Sequence, residues 1–238
     1  MGCRKCLMKV RLYTADLMKN RLILKGFSIV KKTFYYILLI HIFLFLLTSE
    51  LFAEDMFMVK RINDGDTIIL NDNRCIRYIG INTPEINHRD KKAEPYGYKA
   101  KLFNKSILLK KKVRLEFDQE RKDQYGRWLA YVFLPDGRFI NEEILKQGYG
   151  FFLSRYPNNR YDSMLLKAQL KAMLGKKGIW HSWKEKGKGY IGNKRSRRFH
   201  LETCRFGKEI RNKTYFSNRW DAFLKGYAPC KKCMSEWW

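Results

Sequence analysis

The chain has 238 residues, room for one ordinary domain and something small beside it, which excludes a polypeptide of several full-sized domains. Its 49 Lys and Arg against 23 Asp and Glu give a net charge of +26, spread over every segment. A balance of this kind suits a polyanionic partner, nucleic acid or an anionic membrane surface, and by itself does not tell an enzyme from a binding protein.

Near the N-terminus, Lys31 and Lys32 precede an apolar run from Phe34 to Leu47 that is broken only by His41. Fourteen residues fall short of the roughly 20 that span a bilayer and match the core of a signal peptide. Leu51-Phe52-Ala53 is a candidate cleavage site, and Met18 an alternative start that would give a more ordinary signal. Residues 1–53 are therefore expected to be a signal peptide or a membrane anchor, and the protein exported, as a secreted or cell-envelope protein, with attachment through residues 34–47 as the alternative. Cys3 and Cys6 form an isolated Cys-x-x-Cys with no partner nearby and carry no assignment.

Three strands are expected over Phe57–Ile62, Thr67–Leu70 and Cys75–Ile81, joined by turns rich in Asp, Asn and Gly. Ala100, Phe103 and Ile107 fall at helical spacing between Tyr96 and Leu109. Two further strands are expected over Lys112–Phe117 and Leu129–Leu134. Asn141 would cap a helix ending at Gly148, and Asp162 one ending at Gly175. The fold class is thus α+β, mainly β, with five short strands forming a small barrel and helices interposed.

Chemistry-bearing residues fall in three pieces. Asp64-Gly65-Asp66-Thr67 is followed by Arg77, in a strand, then by Gly80-Ile81-Asn82-Thr83-Pro84-Glu85 and, further on, Asp123-Gln124-Tyr125-Gly126-Arg127. Together they offer oxygen ligands for a hard cation, one carboxylate base and two guanidiniums, a set suited to phosphodiester hydrolysis. Each piece alone has a plainer reading: an Asx turn, a paired arginine at the barrel rim, a solvated turn residue.

In this order, with Tyr96-Gly97 and Asn141-Glu142, the pieces resemble the thermonuclease, or staphylococcal nuclease-like, family over roughly Met56 to Trp183. The resemblance implies a five-stranded OB-fold barrel over residues 54–183. It implies Glu85 as general base, Arg77 and Arg127 on the phosphate, and Ca²⁺ held by Asp66, Asn82 and the Thr83 carbonyl. Tyr125 and Tyr156 would contact the substrate, and Asp64 would support the metal loop from behind. Cleavage of both DNA and RNA, leaving 3′-phosphates, follows from the same resemblance. Two departures matter. Asn82 stands where the staphylococcal enzyme has a metal-binding aspartate, so weaker calcium binding is expected. Only Tyr156 remains of two tyrosines used for base stacking, so its role stays open against that of a surface aromatic.

Residues 184–198 hold seven basic residues, one acid and three glycines without an apolar period, and are expected to be a flexible basic linker. Residues 199–238 bring His200, Cys204, Cys230 and Cys233, two close pairs with the donor set of a closed tetrahedral Zn²⁺ site. An odd thiol count disfavours a pure disulfide framework, and a thin core calls for a staple. This stretch resembles the small zinc-binding domain of bacterial DNA alkylation-repair proteins, although His200 replaces that family's methyl-accepting cysteine, which argues against methyl transfer. A structural zinc module that grips DNA is expected, whose removal unfolds the tail and spares the barrel. The whole reads as a monomeric calcium-dependent endonuclease. The alternative is a non-catalytic nucleic-acid-binding or DNA-uptake surface protein built on the same barrel and module.

Overall fold

The computed structural model describes residues 34–43, 55–87, 92–181, 184–185 and 189–234. The chain divides into two compact units, Met1–Glu54 and Asp55–Trp238. In the first, residues 34–43 are helical, and no helix among the described residues is long and apolar enough to cross a membrane. The candidate cleavage site at 51–53, the alternative start at Met18, and Cys3 and Cys6 lie outside the described residues.

The second unit begins with a closed barrel. Its strands are β1 (Met56–Ile62), β2 (Thr67–Leu70), β3 (Cys75–Tyr78), β5 (Lys112–Glu116) and β6 (Trp128–Phe133), in the order β1-β2-β3-β6-β5. β1 closes the ring by pairing with β5, Met56 opposite Arg114. β3 and β6 run parallel, so the chain must cross over between them, and α1 (Gly97–Leu108) and β5 occupy the crossover. Val59, Ile68, Leu70, Ile76, Val113 and Val132 alternate inward and fill the interior.

The strand expected over Cys75–Ile81 is two: Gly80 adopts φ +77°, and the chain breaks after Tyr78 before resuming as β4 (Ile81–Asn82). β4 leaves the barrel and pairs with β7 (Phe151–Phe152). Asn141 does not cap a helix. It lies inside α2 (Ile140–Lys146), buried, where its side chain donates to the Ile79 carbonyl at 2.8 Å and accepts from the Val132 amide at 3.0 Å. Those two bonds tie the helix to the barrel just where β3 ends. Asp162 is likewise the first residue of α3 (Asp162–Leu174) rather than its cap, and accepts from the Ser154 hydroxyl.

Beyond a short 3₁₀ turn at Gly178–Trp180, β8 (Tyr190–Asn193), β9 (Arg198–Leu201), β10 (Lys213–Phe216) and β11 (Ala228–Pro229) form a second sheet in the order β10-β8-β9-β11. β8 lies within the stretch expected to be linker. The small helices α4 (Arg205–Lys208) and α5 (Arg219–Leu224) accompany the sheet. Its core is not separate from the nuclease part: Phe151, Ala172, Met173 and Trp180 pack with Tyr190, Phe199, Phe223 and Tyr227. At this seam the buried Gln169 accepts from the Phe152 amide at 2.7 Å and donates to the Phe223 carbonyl at 3.0 Å, satisfying both ends of its amide.

Candidate active site and metal cluster

The Asp-Gly-Asp turn between β1 and β2, the β3–β4 corner with the loop after it, and the loop before β6 all reach one cleft of about 280 Å³. Asp64, Asp66, Arg77, Asn82, Glu85 and Arg127 line it. The turn is tight because Asp64 Oδ1 accepts from the Asp66 amide at 3.0 Å. A Cβ on Gly65 would lie 2.7 Å from both Thr83 Oγ1 and the Ala100 side chain, so only glycine lets the turn seat against the corner and α1.

Asp66 is buried and fully engaged. Its Oδ1 accepts from the Thr67 hydroxyl at 3.1 Å, and its Oδ2 accepts from the Thr83 amide at 2.8 Å and faces Arg77 Nη2 at 3.1 Å. Arg77 also donates to the carbonyls of Tyr78 (2.5 Å) and Ile81 (2.9 Å) and to Asn82 Oδ1 (3.3 Å). One guanidinium thus gathers Asp66 and Asn82, while Asn82 Nδ2 donates to the Thr83 carbonyl at 3.2 Å. The Asp66 carboxylate and the Asn82 amide oxygen are hard donors of the kind calcium takes and line the cleft, whereas Thr83, the third expected donor, is buried beside them and does not line it. Asp64 also lines the cleft; burial, with the nearby Asp66 charge, pushes its carboxyl up to about 7.

Glu85 projects from the loop after Pro84, its side chain 43% exposed. Its amide is held by Glu94 Oε2 at 2.8 Å, and its Oε1 pairs with Lys231 Nζ at 2.5 Å. Arg127 is held by Asp123, Nε to Oδ2 at 2.8 Å, with the Arg127 and Tyr125 amides on Oδ1. Burial opposes ionisation of Asp123, but those bonds to Arg127 outweigh it and hold the carboxyl below its ordinary value. Tyr125 lines the cleft with its ring 74% exposed and the Arg127 guanidinium 5.5 Å from its centroid. Tyr156 lies apart from these residues, in an adjoining furrow with Arg155 and Arg195.

Several supporting residues had no role assigned from sequence. Asp123 belonged to a quoted motif. The buried Asn104, which donates to the Asp64 carbonyl at 3.1 Å and accepts from Tyr78, gave no signal beyond its place on a helix. Arg198 and Lys231 also line the cleft, from the second sheet and the Cys-x-x-Cys turn.

The side-chain donor atoms of His200, Cys204, Cys230 and Cys233 lie within 4.8 Å of one another, Cys204 Sγ being 3.5 Å from His200 Nδ1. Zinc–sulfur and zinc–nitrogen bonds of about 2.3 and 2.0 Å place tetrahedral donors roughly 3.5 Å apart, so this S₃N cluster fits zinc. Burial opposes ionisation of Cys204, yet the His200 ring and the Gly207 amide hold its thiol low, while burial pushes Cys233 up to about 12. Cys75, half-buried in β3, is remote from the cluster in sequence, and burial raises its thiol.

Residues 75–182 match the family model described as staphylococcal nuclease homologue. The thermonuclease of Staphylococcus hyicus is 41% identical over 130 residues, covering 53% of this chain and 76% of that protein. Endonuclease YncB of Bacillus subtilis is 36% identical over 141 residues, 57% of this chain and 64% of its own. The endonuclease YokF of a Bacillus subtilis prophage is 38% identical over 127 residues, 51% and 43%. With its closed five-stranded barrel and its ordered motifs, the chain belongs to the staphylococcal nuclease family and is a hydrolytic nuclease, a phosphodiesterase.

Proposed function

We propose that this protein is a calcium-dependent endonuclease acting on DNA, RNA or both at the Asp66–Arg77–Glu85–Arg127 cleft. One observation supports it most: the Glu85 carboxylate, the guanidiniums of Arg77 and Arg127 and the side-chain oxygens of Asp66 and Asn82, supplied by three distant segments, line one cleft. Glu85 is solvent-accessible and positioned to take a proton from water as the water oxygen bonds to phosphorus and one ester P–O bond breaks. Arg77 and Arg127 present planar forks to the phosphoryl oxygens, where negative charge builds up. Asp123 keeps the Arg127 fork in place. When bound beside Asp66, Asn82 and Thr83, calcium supplies positive charge to those same oxygens.

We assign zinc a structural role at His200, Cys204, Cys230 and Cys233, and residues 199–234 the role of a nucleic-acid-gripping module. Export remains the expectation from the Lys31-Lys32 and apolar 34–47 pattern; the N-terminal residue of protein recovered from the producing cell's exterior tests it. The central experiment supplies plasmid and single-stranded DNA to the full chain with and without calcium. Cleavage that requires calcium and disappears in Arg127→Ala is the expected result. Equal cleavage by the variant, or without calcium, would overturn the assignment.

A further inference from the structure

The family match ends at residue 182, yet the cleft does not. Arg198 opens β9, two residues before His200, and its Nη1 donates to the Pro229 carbonyl at 2.8 Å. Lys231 lies between Cys230 and Cys233 and reaches Glu85. Both cations are therefore mounted on the backbone that carries the metal-binding side chains, and the Cys230 amide, bonded to the Phe199 carbonyl at 2.9 Å, ties their two segments together.

A second basin adjoins the cleft along the seam between the barrel and the second sheet. Leu153, Arg155 and Arg198 line both, and Arg195 and Tyr156 line the outer basin. No carboxylate lines that outer basin, and among the described residues neither Arg155 nor Arg198 has an acidic partner. Gathering like charges on one furrow is unfavourable unless a polyanion occupies it. The furrow is continuous with the cleft, so the polyanion it fits is a chain of phosphates extending from the bond at Glu85. Tyr156, 81% exposed beside that path, offers a face on which a base can stack.

We propose that the C-terminal module completes the nuclease's substrate site: Arg155, Arg195 and Arg198 hold the phosphates flanking the scissile one on a single nucleic-acid strand, and Lys231 stands at the inner end of that track. This rests on the reading of Glu85, Arg77 and Arg127 as the reacting centre. The Lys231–Glu85 pair is about half exposed on both sides, the class of ion pair that contributes little, so an arriving phosphate can draw Lys231 away from the base.

The test measures binding of a labelled single-stranded dodecanucleotide and of a dinucleotide to the full chain carrying Glu85→Gln, without added calcium, across a salt series. Each single-strand phosphate contact contributes roughly 0.7 to the slope of log affinity against log salt. Arg195→Ala with Arg198→Ala should lower the slope for the dodecanucleotide by about 1.4 and largely abolish its advantage over the dinucleotide. Arg198→Lys should keep the slope, and Arg195→Ala alone, at an exposed position, should lower it by half as much even if Arg198→Ala disturbs folding. Lys105→Ala with Lys111→Ala, at exposed positions that line neither the cleft nor the outer basin, is the charge-matched control. An unchanged slope in the double variant, or an equal fall in the control, would overturn the proposal and leave the reacting centre in place. Full-rate cleavage by Glu85→Gln would overturn both.

Discussion

A Cβ on Gly97 would lie 2.4 Å from the carbonyl oxygen of Glu85, nearer than real Cβ atoms come to any neighbour. The Tyr96-Gly97 pair thereby gains a physical meaning. Tyr96 takes a left-handed conformation, φ +68°, and Gly97 starts α1 directly against the backbone that carries Glu85, the proposed base. Backbone cannot swing aside as a flexible side chain can, so Gly97→Ala must move the Glu85 loop. Turnover should fall at least tenfold, and more steeply than affinity for a single-stranded oligonucleotide. Steady-state kinetics beside calcium-free binding would separate the two; equal losses would mean that the substitution had only unfolded the protein.

Glu85→Gln keeps the side chain's size and removes its capacity to take a proton. General bases contribute on the order of 10²–10⁴ to rate, and turnover should fall by that order while DNA binding stays nearly intact. On the proposed reading, binding is set by the arginines and lysines around the cleft, and the variant removes a negative charge from among them. Parallel loss of binding and turnover would contradict the base assignment.

At position 82 an aspartate should strengthen the proposed calcium site. Asn82 Oδ1 already faces Arg77 at 3.3 Å, beside Asp66, so a carboxylate there meets a ready-made positive neighbour and adds one charge toward a dication. Arg77 will absorb part of that gain. Calcium affinity in Asn82→Asp should tighten by about tenfold, roughly 1.4 kcal/mol, in a calorimetric or activity titration. A superimposable titration would show that residue 82 is not a ligand.

Much of this architecture was visible in the sequence where local pattern and tertiary structure agree. Thr67–Leu70 is a short β-branched and apolar run between turns, and the motif order placed Asp66, Arg77, Glu85 and Arg127 together although no local signal could. What stayed hidden depends on contacts distant in sequence. Asn141 is helix-capping by type, but two buried backbone groups, at Ile79 and Val132, claim its amide. Tyr190–Asn193 reads as linker because glycines and lysines surround it; it becomes a strand by pairing with Arg198–Leu201 and packing Tyr190 against Phe199. Lys231 meets Glu85 across 146 positions, a proximity that neither periodicity nor turn chemistry encodes.

Glu116 offers a pH test outside the cleft. Its carboxylate receives Tyr161 OH at 2.7 Å and pairs with Arg114 at 2.5 Å and Arg160 at 3.4 Å. Burial opposes its ionisation, but the Tyr161 and Arg114 bonds prevail and its carboxyl sits below the ordinary 4.5. A depressed carboxyl contributes stability that is fully present above the unfolded value and is lost as pH falls through the folded one. Glu116→Gln should therefore cost about 1 kcal/mol at neutral pH, and the difference from the parent should shrink below about pH 4. Denaturant unfolding at a series of pH values would reveal it; a difference that grows toward acid has the wrong sign.

Zinc removal should reach further than the tail. On the proposed reading zinc at the S₃N cluster staples a small sheet, and in such modules metal binding is folding free energy. A tail on a flexible linker would unfold alone. Here, however, Ala172 and Met173 of α3, with Phe151 of β7, belong to the same core as Phe199 and Phe223, and Gln169 bonds to both sides of the seam. Losing the sheet would expose the apolar flank of α3 and leave the Gln169 amide half satisfied. The full chain should hold one zinc per molecule, and a zinc-selective chelator, or Cys233→Ser, should lower the melting temperature of the nuclease itself in one cooperative transition. Thermal unfolding followed by far-UV dichroism, alongside metal analysis, decides the matter. Two separate transitions, with the barrel's unmoved, would mean that the shared core contributes little to the nuclease; no response at all would remove zinc from the cluster.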